Sequence, residues 1–314
     1  MRKKLIIIAG LTACGKSALA VELALRLGSE VISADSMQVY KYMDIGTAKI
    51  TEAEARGVRH HLIDEVYPDE EFSVAAFQKI ARKCAEDIIA AGKTPIIVGG
   101  TGFYINALLY GNNFAETVAD GGYREELYGL ARARGNAYLH GLLRKTDPEA
   151  AEQIHENNVK RVVRALEFFR QTGEPISAHN AAEKARPPAY EAAMIALYMD
   201  RDRLYNKIDA RVENMIKRGL IKEVDFLLEK GYNENLASMQ GLGYKETAAC
   251  LKGRITLEQA VADIKTGTRR YAKRQETWFK NRSKARFVDV TDVNDPGKLC
   301  ESVQNIVYRE IGDV

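Results

Sequence analysis

Leu5 to Ala9 is an unbroken apolar run, the pattern of a strand buried on both faces. A short glycine-bearing loop follows, and then "SALAVELALRLG", whose apolar positions have helical spacing until Gly28 stops them. "EVISA" predicts a second strand and "HHLIDEV" a third. From Ser73 to Ala91, Val74, Phe77, Ile80, Ala81, Cys84 and Ile88 recur at helical spacing, with Ser73 as the N-cap. "TPIIVGG" is another buried strand. Strand and helix alternate through this stretch, which predicts a parallel sheet with helices on both faces. After Tyr110 the texture changes. From Asn112 to Pro188 the pattern is helical with few strand signals, and Pro187-Pro188 marks a boundary. "EAAMIALYMD" returns a strand, helical patterns dominate from Arg201, and "ARFVDVTD" supplies a last strand. The expected fold class is α/β, with a core formed by residues 1–111 and 189–314 and a mostly helical insertion over residues 112–188.

Composition changes this picture little. With 314 residues, 46% of them hydrophobic, the chain can bury a sizeable core without disulfide staples. Cys14, Cys84, Cys250 and Cys300 are scattered and form no CxxC pair, which argues for a reducing compartment and against a cysteine-based zinc site. The opening "MRKKLIIIAG" resembles the start of a signal peptide, but its apolar run is too short and leads straight into the glycine loop. No stretch approaches the length of a membrane span. The expectation is a cytoplasmic, monomeric protein with no membrane partner.

The first chemistry lies in that loop. Gly10-Leu11-Thr12-Ala13-Cys14-Gly15-Lys16-Ser17 fits GxxxxGK[ST], a P-loop, between a buried strand and a helix. Its glycines let backbone N–H groups converge on phosphate oxygens at a helix N-terminus. Lys16 supplies a positive charge, and the Ser17 hydroxyl suits Mg2+. Cys14 reads either as a redox-sensitive thiol near a helix N-terminus or as a small filler. The loop does not name its ligand. A nucleotide-hydrolysing protein usually carries an apolar strand ending in Asp for Mg2+; here "PIIVGG" ends in glycines, and "HLID" in Asp64.

Asp35 follows "EVIS", at the carboxyl end of the second strand, where open α/β sheets face their ligand crevice. It reads as a proton acceptor for a nucleophile near the phosphate loop or as a turn cap with Ser36. "GGTGFY", Gly99 to Tyr104, has the same placement: its glycines admit close approach of a substrate or simply make a turn, and Thr101 offers a hydroxyl. His60-His61 makes a poor chelating pair, because adjacent strand residues face opposite ways.

Charge is concentrated late in the chain. Lys265, Arg269, Arg270, Lys273, Arg274, Lys280, Arg282, Lys284 and Arg286 share one window with Glu276 as the single acid, and Tyr271 and Trp278 lie seven apart on one face. That mixture suits a nucleic-acid backbone with bases to stack on; the alternative is a solvated charged helix with inward aromatics. Lys160, Arg161 and Arg164 form a second basic cluster, opposite an apolar face of Val162, Val163, Leu166 and Phe169. Together they point to a large anionic substrate.

Taken in order, "GLTACGKS", "ISADSMQVYKYMDIGTAK", "HHLID", "FSVAAF", "PIIVGGTGFY", "NVKRVVRALE", "GLGYKE" and "YAKRQETWF" resemble the bacterial tRNA dimethylallyltransferase (isopentenyl-tRNA transferase) family. The one departure in the loop is Leu11, where the family usually has proline. The resemblance implies a P-loop NTPase-like core whose loop, Gly10 to Ser17, holds the diphosphate of dimethylallyl diphosphate with Mg2+ at Ser17. It implies transfer of the dimethylallyl group to N6 of adenine 37, beside the tRNA anticodon, with release of diphosphate. Asp35 maps to the family's general base, and Thr101 to a residue near the diphosphate and the target base. The tRNA-contacting segments map to Asp35, Ser36, Met37 and Gln38; to Lys160, Arg161, Val162, Val163 and Arg164; to Gln240, Gly241, Leu242, Gly243, Tyr244 and Lys245; and to Lys273, Arg274, Gln275, Trp278 and Lys280, with Thr101. The insertion corresponds to a domain that clasps the anticodon stem-loop. The rival readings are a P-loop kinase of small metabolites, prenyl transfer to free adenine nucleotides, and a non-enzymic RNA-binding module.

Overall fold

The computed structural model of the chain describes residues 3–114, 121–293 and 295–314. Two compact units result: Met1–Gly111 with Pro188–Val314, and Asn112–Pro187. The boundary falls one residue before the expected one because the chain is already rejoining the sheet: the Ala189 N–H donates to Leu109 O at 2.8 Å.

The first unit contains β1 (Lys4–Gly10), α1 (Lys16–Leu27), β2 (Val31–Ser33), α2 (Glu52–Ala55), β3 (His60–His61), α3 (Val74–Ala90), β4 (Ile96–Val98) and α4 (Gly102–Tyr110). The second contains α5 (Gly121–Arg134), α6 (Asn136–Thr146), α7 (Pro148–Gln153), α8 (Val159–Thr172) and α9 (Ile176–Ala185). The first unit resumes with β5 (Glu191–Tyr198), α10 (Arg201–Arg218), α11 (Leu220–Glu229), α12 (Tyr244–Leu251), α13 (Leu257–Arg282), β6 (Arg286–Asp289) and α14 (Pro296–Ile311).

The six strands form one sheet in the order β3-β2-β4-β1-β5-β6, and every pairing is parallel. Alternation along β1 explains its unbroken apolar run. Ile6 and Ile8 pack with Leu19 and Leu23 of α1 and Val303 and Val307 of α14. Leu5 and Ile7 pack with Phe77 and Ala81 of α3 and Ile105 and Leu108 of α4. A strand covered on both faces has no polar side to show. Ser73 caps α3 as expected, accepting from the Ala76 N–H at 3.2 Å.

The third strand is shorter than "HHLIDEV" predicts. Leu62 and Asp64 adopt positive φ of 62° and 58°, which ends the extended conformation, and Val66 forms only an isolated bridge with Tyr40. His60 and His61 do occupy β3, where His61 pairs with Glu30 at 2.8 Å. Among the described residues no group of three or more His, Cys, Asp or Glu side chains is placed to hold a metal ion.

In the second unit, Leu127, Leu139, Leu143, Val162, Val163 and Leu166 form the core. On α8 it is Phe168 that is buried, while Phe169 lies at the margin. The buried Glu167 carboxylate is held by Arg124 through two hydrogen bonds, 2.9 and 3.0 Å long, a fork-to-fork pairing.

Candidate active site

Parallel strands point all their carboxyl ends to one edge of the sheet, and β2, β4 and β1 are adjacent. The loops that follow them carry Asp35, Thr101 and the phosphate loop. The order of strands in space, not in sequence, brings these residues together.

Gly10 leaves β1 with φ 125°, and a Cβ there would lie 2.2 Å from Leu197 O, so only glycine fits. The Leu11 N–H is tied back to the same Leu197 O at 3.1 Å, and the Leu11 and Cys14 side chains are buried in the core. An anion at this loop would therefore be met by the rest of it. Ala13 (φ 64°) and Gly15 (φ 82°) turn the chain, and α1 starts at Lys16 with no side-chain cap, so the N–H groups of its first turn remain available. Lys16 Nζ donates to Leu11 O at 2.7 Å. Its pKa is pushed down to about 8, chiefly by burial and in smaller part by the charge of Arg211 of α10, against Cys14 and Asp35, which act to raise it. Arg211 is itself lowered by burial and partly restored by the charge of Asp35. Lys16, Arg211 and Asp35 thus share one neighbourhood. Burial pushes the Cys14 thiol up to about 11, so it behaves as an inert filler, and the redox reading falls.

Ala34 N–H donates to Val98 O at 2.7 Å, and Thr101 N–H to Ala34 O at 3.3 Å, which locks the loops after β2 and β4 side by side. Asp35 Oδ1 accepts from the N–H groups of Met37 (2.8 Å) and Gln38 (3.4 Å). The turn-capping role is real, but it runs to Met37 and Gln38 and occupies one oxygen; Oδ2 accepts no hydrogen bond among the described residues.

The glycines of "GGTGFY" admit the protein's own groups. A Cβ on Gly99 would meet Ala34 O at 2.2 Å, on Gly100 it would meet Gln275 Nε2 at 2.0 Å, and on Gly102 the Trp278 ring at 2.2 Å. The expectation of close substrate approach at all three is therefore corrected. Gln275, expected to contact tRNA from the basic segment, is instead buried: Oε1 accepts the Thr12 N–H at 2.8 Å and Nε2 donates to Gly100 O at 3.1 Å. Tyr271, one turn earlier on α13, directs its hydroxyl toward Thr101 and Gln275. Thr101 Oγ1 is buried and makes no hydrogen bond, so Tyr271 lies near it without satisfying it.

The long "DSMQVYKYMDIGTAK" segment is a scaffold behind Asp35. Buried Lys49 donates to Tyr40 O (3.0 Å), Asp44 Oδ1 (2.5 Å) and Asp64 Oδ1 (2.6 Å), so Asp64 is engaged there and not at the phosphate loop. Gln38 bridges Ser33 Oγ and the carbonyls of Thr47 and Ala48. Glu223 of α11 accepts the N–H groups of Asp44, Ile45 and Gly46 and the Tyr244 hydroxyl at 2.7 to 3.1 Å. Gly46 packs flat on the Tyr244 ring, where a Cβ would lie 2.5 Å from Cε2. The Tyr244 side chain is thus buried and turned away from tRNA, and Gly243 beside it is buried too; Gln240 and Lys245 are exposed, and Gly241 abuts Met37. Likewise Val162 and Val163 point into their unit's core, leaving Lys160, Arg161 and Arg164 on the outer face of α8. Each of these buried positions belongs to a motif, but the motif's charge and its anchor face opposite ways.

Acids of α10 and α14, and Glu276 of α13 itself, thin out the cationic window. Arg269 pairs with Asp209, Lys265 with Glu213 (2.7 Å), Lys280 with Glu276 (2.6 Å) and Arg286 with Glu310 (3.9 Å). Arg270, Lys273, Arg274 and Arg282 are exposed and form no ion pair among the described residues. They remain a basic surface on the helix whose inner face, through Gln275, closes the phosphate loop.

Arg211 escaped sequence reasoning. Its signal was a cation three residues after Ile208, on the flank of the buried stripe Leu204, Ile208, Val212 and Met215.

A parallel sheet with helices on both faces and a GxxxxGKS loop after its central strand defines a P-loop-like α/β protein. The profile of the IPP transferase family matches residues 38–282, and the chain belongs to that family. A tRNA dimethylallyltransferase of Acetivibrio thermocellus is 48% identical over 299 residues, 95% of this chain and 96% of that one. One from Lachnoclostridium phytofermentans is 49% identical over 308 residues, 98% of each. Among solved structures, the full-length tRNA isopentenylpyrophosphate transferase from Bacillus halodurans is similar with a TM-score of 0.73 at 44% identity, covering 98% of both chains. A eukaryotic dimethylallyltransferase acting on tRNA is similar with a TM-score of 0.80 at 32% identity, over 92% of this chain and 74% of that one.

Proposed function

We propose that this protein is a tRNA dimethylallyltransferase: it moves the dimethylallyl group of dimethylallyl diphosphate onto N6 of adenine 37, next to the anticodon, and releases diphosphate. The relatives' names support the substrate classes. The observation that carries the chemistry is the convergence of Lys16, Arg211, Asp35 and Thr101 beneath α13, the helix that also bears the unpaired cations.

In this reading the first-turn N–H groups of α1, with Lys16 and Arg211, receive the diphosphate. Both side chains lie where burial disfavours their charge, so an anion between them relieves that penalty. As the allylic C–O bond breaks, the growing negative charge on diphosphate meets groups already oriented toward it. The adenine amine forms the new N–C bond, and Asp35 Oδ2 takes the N6 proton. The base must leave its stack to reach these groups. Mg2+ fits this site: the Ser17 hydroxyl is exposed at the start of α1 without a hydrogen bond among the described residues, and Mg2+ commonly takes one protein ligand plus phosphate oxygens and water. When bound there, it supplies charge neutralisation to the diphosphate. Four free cysteines support a reducing, cytoplasmic setting, and no described helix is long and apolar enough to cross a membrane.

The test is direct. The protein, Mg2+ and labelled dimethylallyl diphosphate are incubated with unmodified tRNA, with ATP and AMP in parallel. The expected result is label in tRNA that is lost when adenine 37 is replaced. Phosphate moving from ATP, with no label in tRNA, would overturn the reading in favour of a kinase.

A further inference from the structure

Tyr271 has no part in the reaction just described, yet it lies among its groups. It precedes Gln275 by one helical turn, so the two side chains leave α13 on the same face. Gln275 is anchored to Thr12 and Gly100, which fixes that face against the phosphate loop and the loop of Thr101. The Tyr271 hydroxyl approaches Thr101 and feels the charge of Asp35. The residue is half-buried, so it is not sealed within the core. Burial, followed by the nearby Asp35 charge, pushes the phenol up to about 12, so it stays protonated and can donate. Thr101 Oγ1 beside it is buried without a partner, a second polar group waiting for a ligand.

An ionised carboxylate only accepts hydrogen bonds, whereas a neutral phenol donates. Adenine presents a complementary edge: the N6 amine donates and N1 accepts. Guanine reverses both, with O6 accepting and N1–H donating. We propose that Tyr271 is a specificity-determining residue that donates a hydrogen bond to N1 of the target adenine while Asp35 accepts from N6. This rests on the transferase reading above. A guanine in the same place would leave both protein groups facing like partners, and a site built around buried polar groups rejects such a base strongly.

The experiment compares synthetic anticodon stem-loops carrying adenosine or 1-deazaadenosine at the target position, in single-turnover prenyl transfer by the wild-type protein and by Tyr271→Phe. Deazaadenosine keeps the amine and lacks the N1 acceptor. The wild type is expected to prefer adenosine by about tenfold more than Tyr271→Phe does, the worth of one hydrogen bond. Comparing the two preferences cancels any intrinsic difference in amine reactivity. Equal preferences in both proteins would overturn the assignment. Tyr271→Met, similar in bulk and without a donor, gives the same comparison should the Phe variant fold poorly. Failure of the wild type to modify even the adenosine stem-loop would overturn the transferase reading itself, whereas transfer with equal preferences removes only Tyr271.

Discussion

Gln275 and Thr12 stand 263 positions apart in sequence, and a 2.8 Å hydrogen bond from the Thr12 N–H to Gln275 Oε1 ties the phosphate loop to α13. The other end of the same amide donates to Gly100 O at 3.1 Å, so one side chain holds two of the loops that build the site. Gln275→Leu removes both bonds and leaves a loop N–H and a carbonyl unpaired. A stability loss of about 1–3 kcal/mol is expected in urea unfolding. Weaker dimethylallyl diphosphate binding, measured by calorimetry, should accompany it. Unchanged affinity would mean that the loop holds its shape without α13.

If Lys16 is the diphosphate cation, binding should be sensitive to alkaline pH. In the free protein its ammonium titrates at about 8. A bound anion favours the charged form, so the pKa rises in the complex. The dissociation constant should therefore stay flat below pH 8 and climb above it. Stability moves the other way. Between about 8 and its ordinary 10.5 the unfolded chain holds more protons on Lys16 than the folded one, so this residue's contribution rises with pH across that window. Titration calorimetry at several pH values checks the binding; a flat profile through pH 9 would remove Lys16 as the diphosphate cation.

Asp35→Asn preserves the oxygen that accepts from Met37 and Gln38, so the turn should survive. What is lost is the basic carboxylate. Single-turnover transfer should fall by about 10²- to 10⁴-fold while tRNA affinity in filter binding stays near wild type. Wild-type turnover in this variant would exclude Asp35 as the base.

Neutralising Arg270 and Arg274 tests the outer face of α13. Both are exposed and lack an acidic partner among the described residues. With each phosphate contact contributing about 0.7–0.9 to the slope of log affinity against log salt, the double Gln variant should bind tRNA with a slope shallower by about 1.5. Lys265, already paired with Glu213, should alter the slope less when replaced. An unaltered slope in the double variant would return this face to a merely solvated one.

Glu223 provides a structural control away from the chemistry. Its carboxylate receives three backbone N–H groups and the Tyr244 hydroxyl. Glu223→Ala strands all four and should cost about 3 kcal/mol. Activity per folded molecule, measured well below the melting temperature, should drop less than in Asp35→Asn. An equal loss would mean that the scaffold and the base cannot be separated.

The strands, the phosphate loop and the helical insertion were legible in the chain because each is a local pattern. Apolar runs announce strands buried on both faces, and GxxxxGKS announces a loop whose glycines are needed by its own turn. Ser73 showed as an N-cap for the same reason: its bond spans three residues. Other features depend on partners far along the chain. Nothing near Gly100 or Gly102 in sequence says that Gln275 and Trp278 fill the space their missing side chains leave. The nine-to-one excess of cations over acids between Lys265 and Arg286 was real as composition, but Asp209 and Glu213 of α10 and Glu310 of α14 neutralise part of it. Arg211 and the Tyr271 hydroxyl joined the site only because α10 and α13 pack over the sheet edge. By itself the sequence determined the elements and the GxxxxGKS loop between the first strand and helix. Tertiary structure decided which of them meet, because burial, charge pairing and pKa depend on distance in space, and the chain order does not contain that distance.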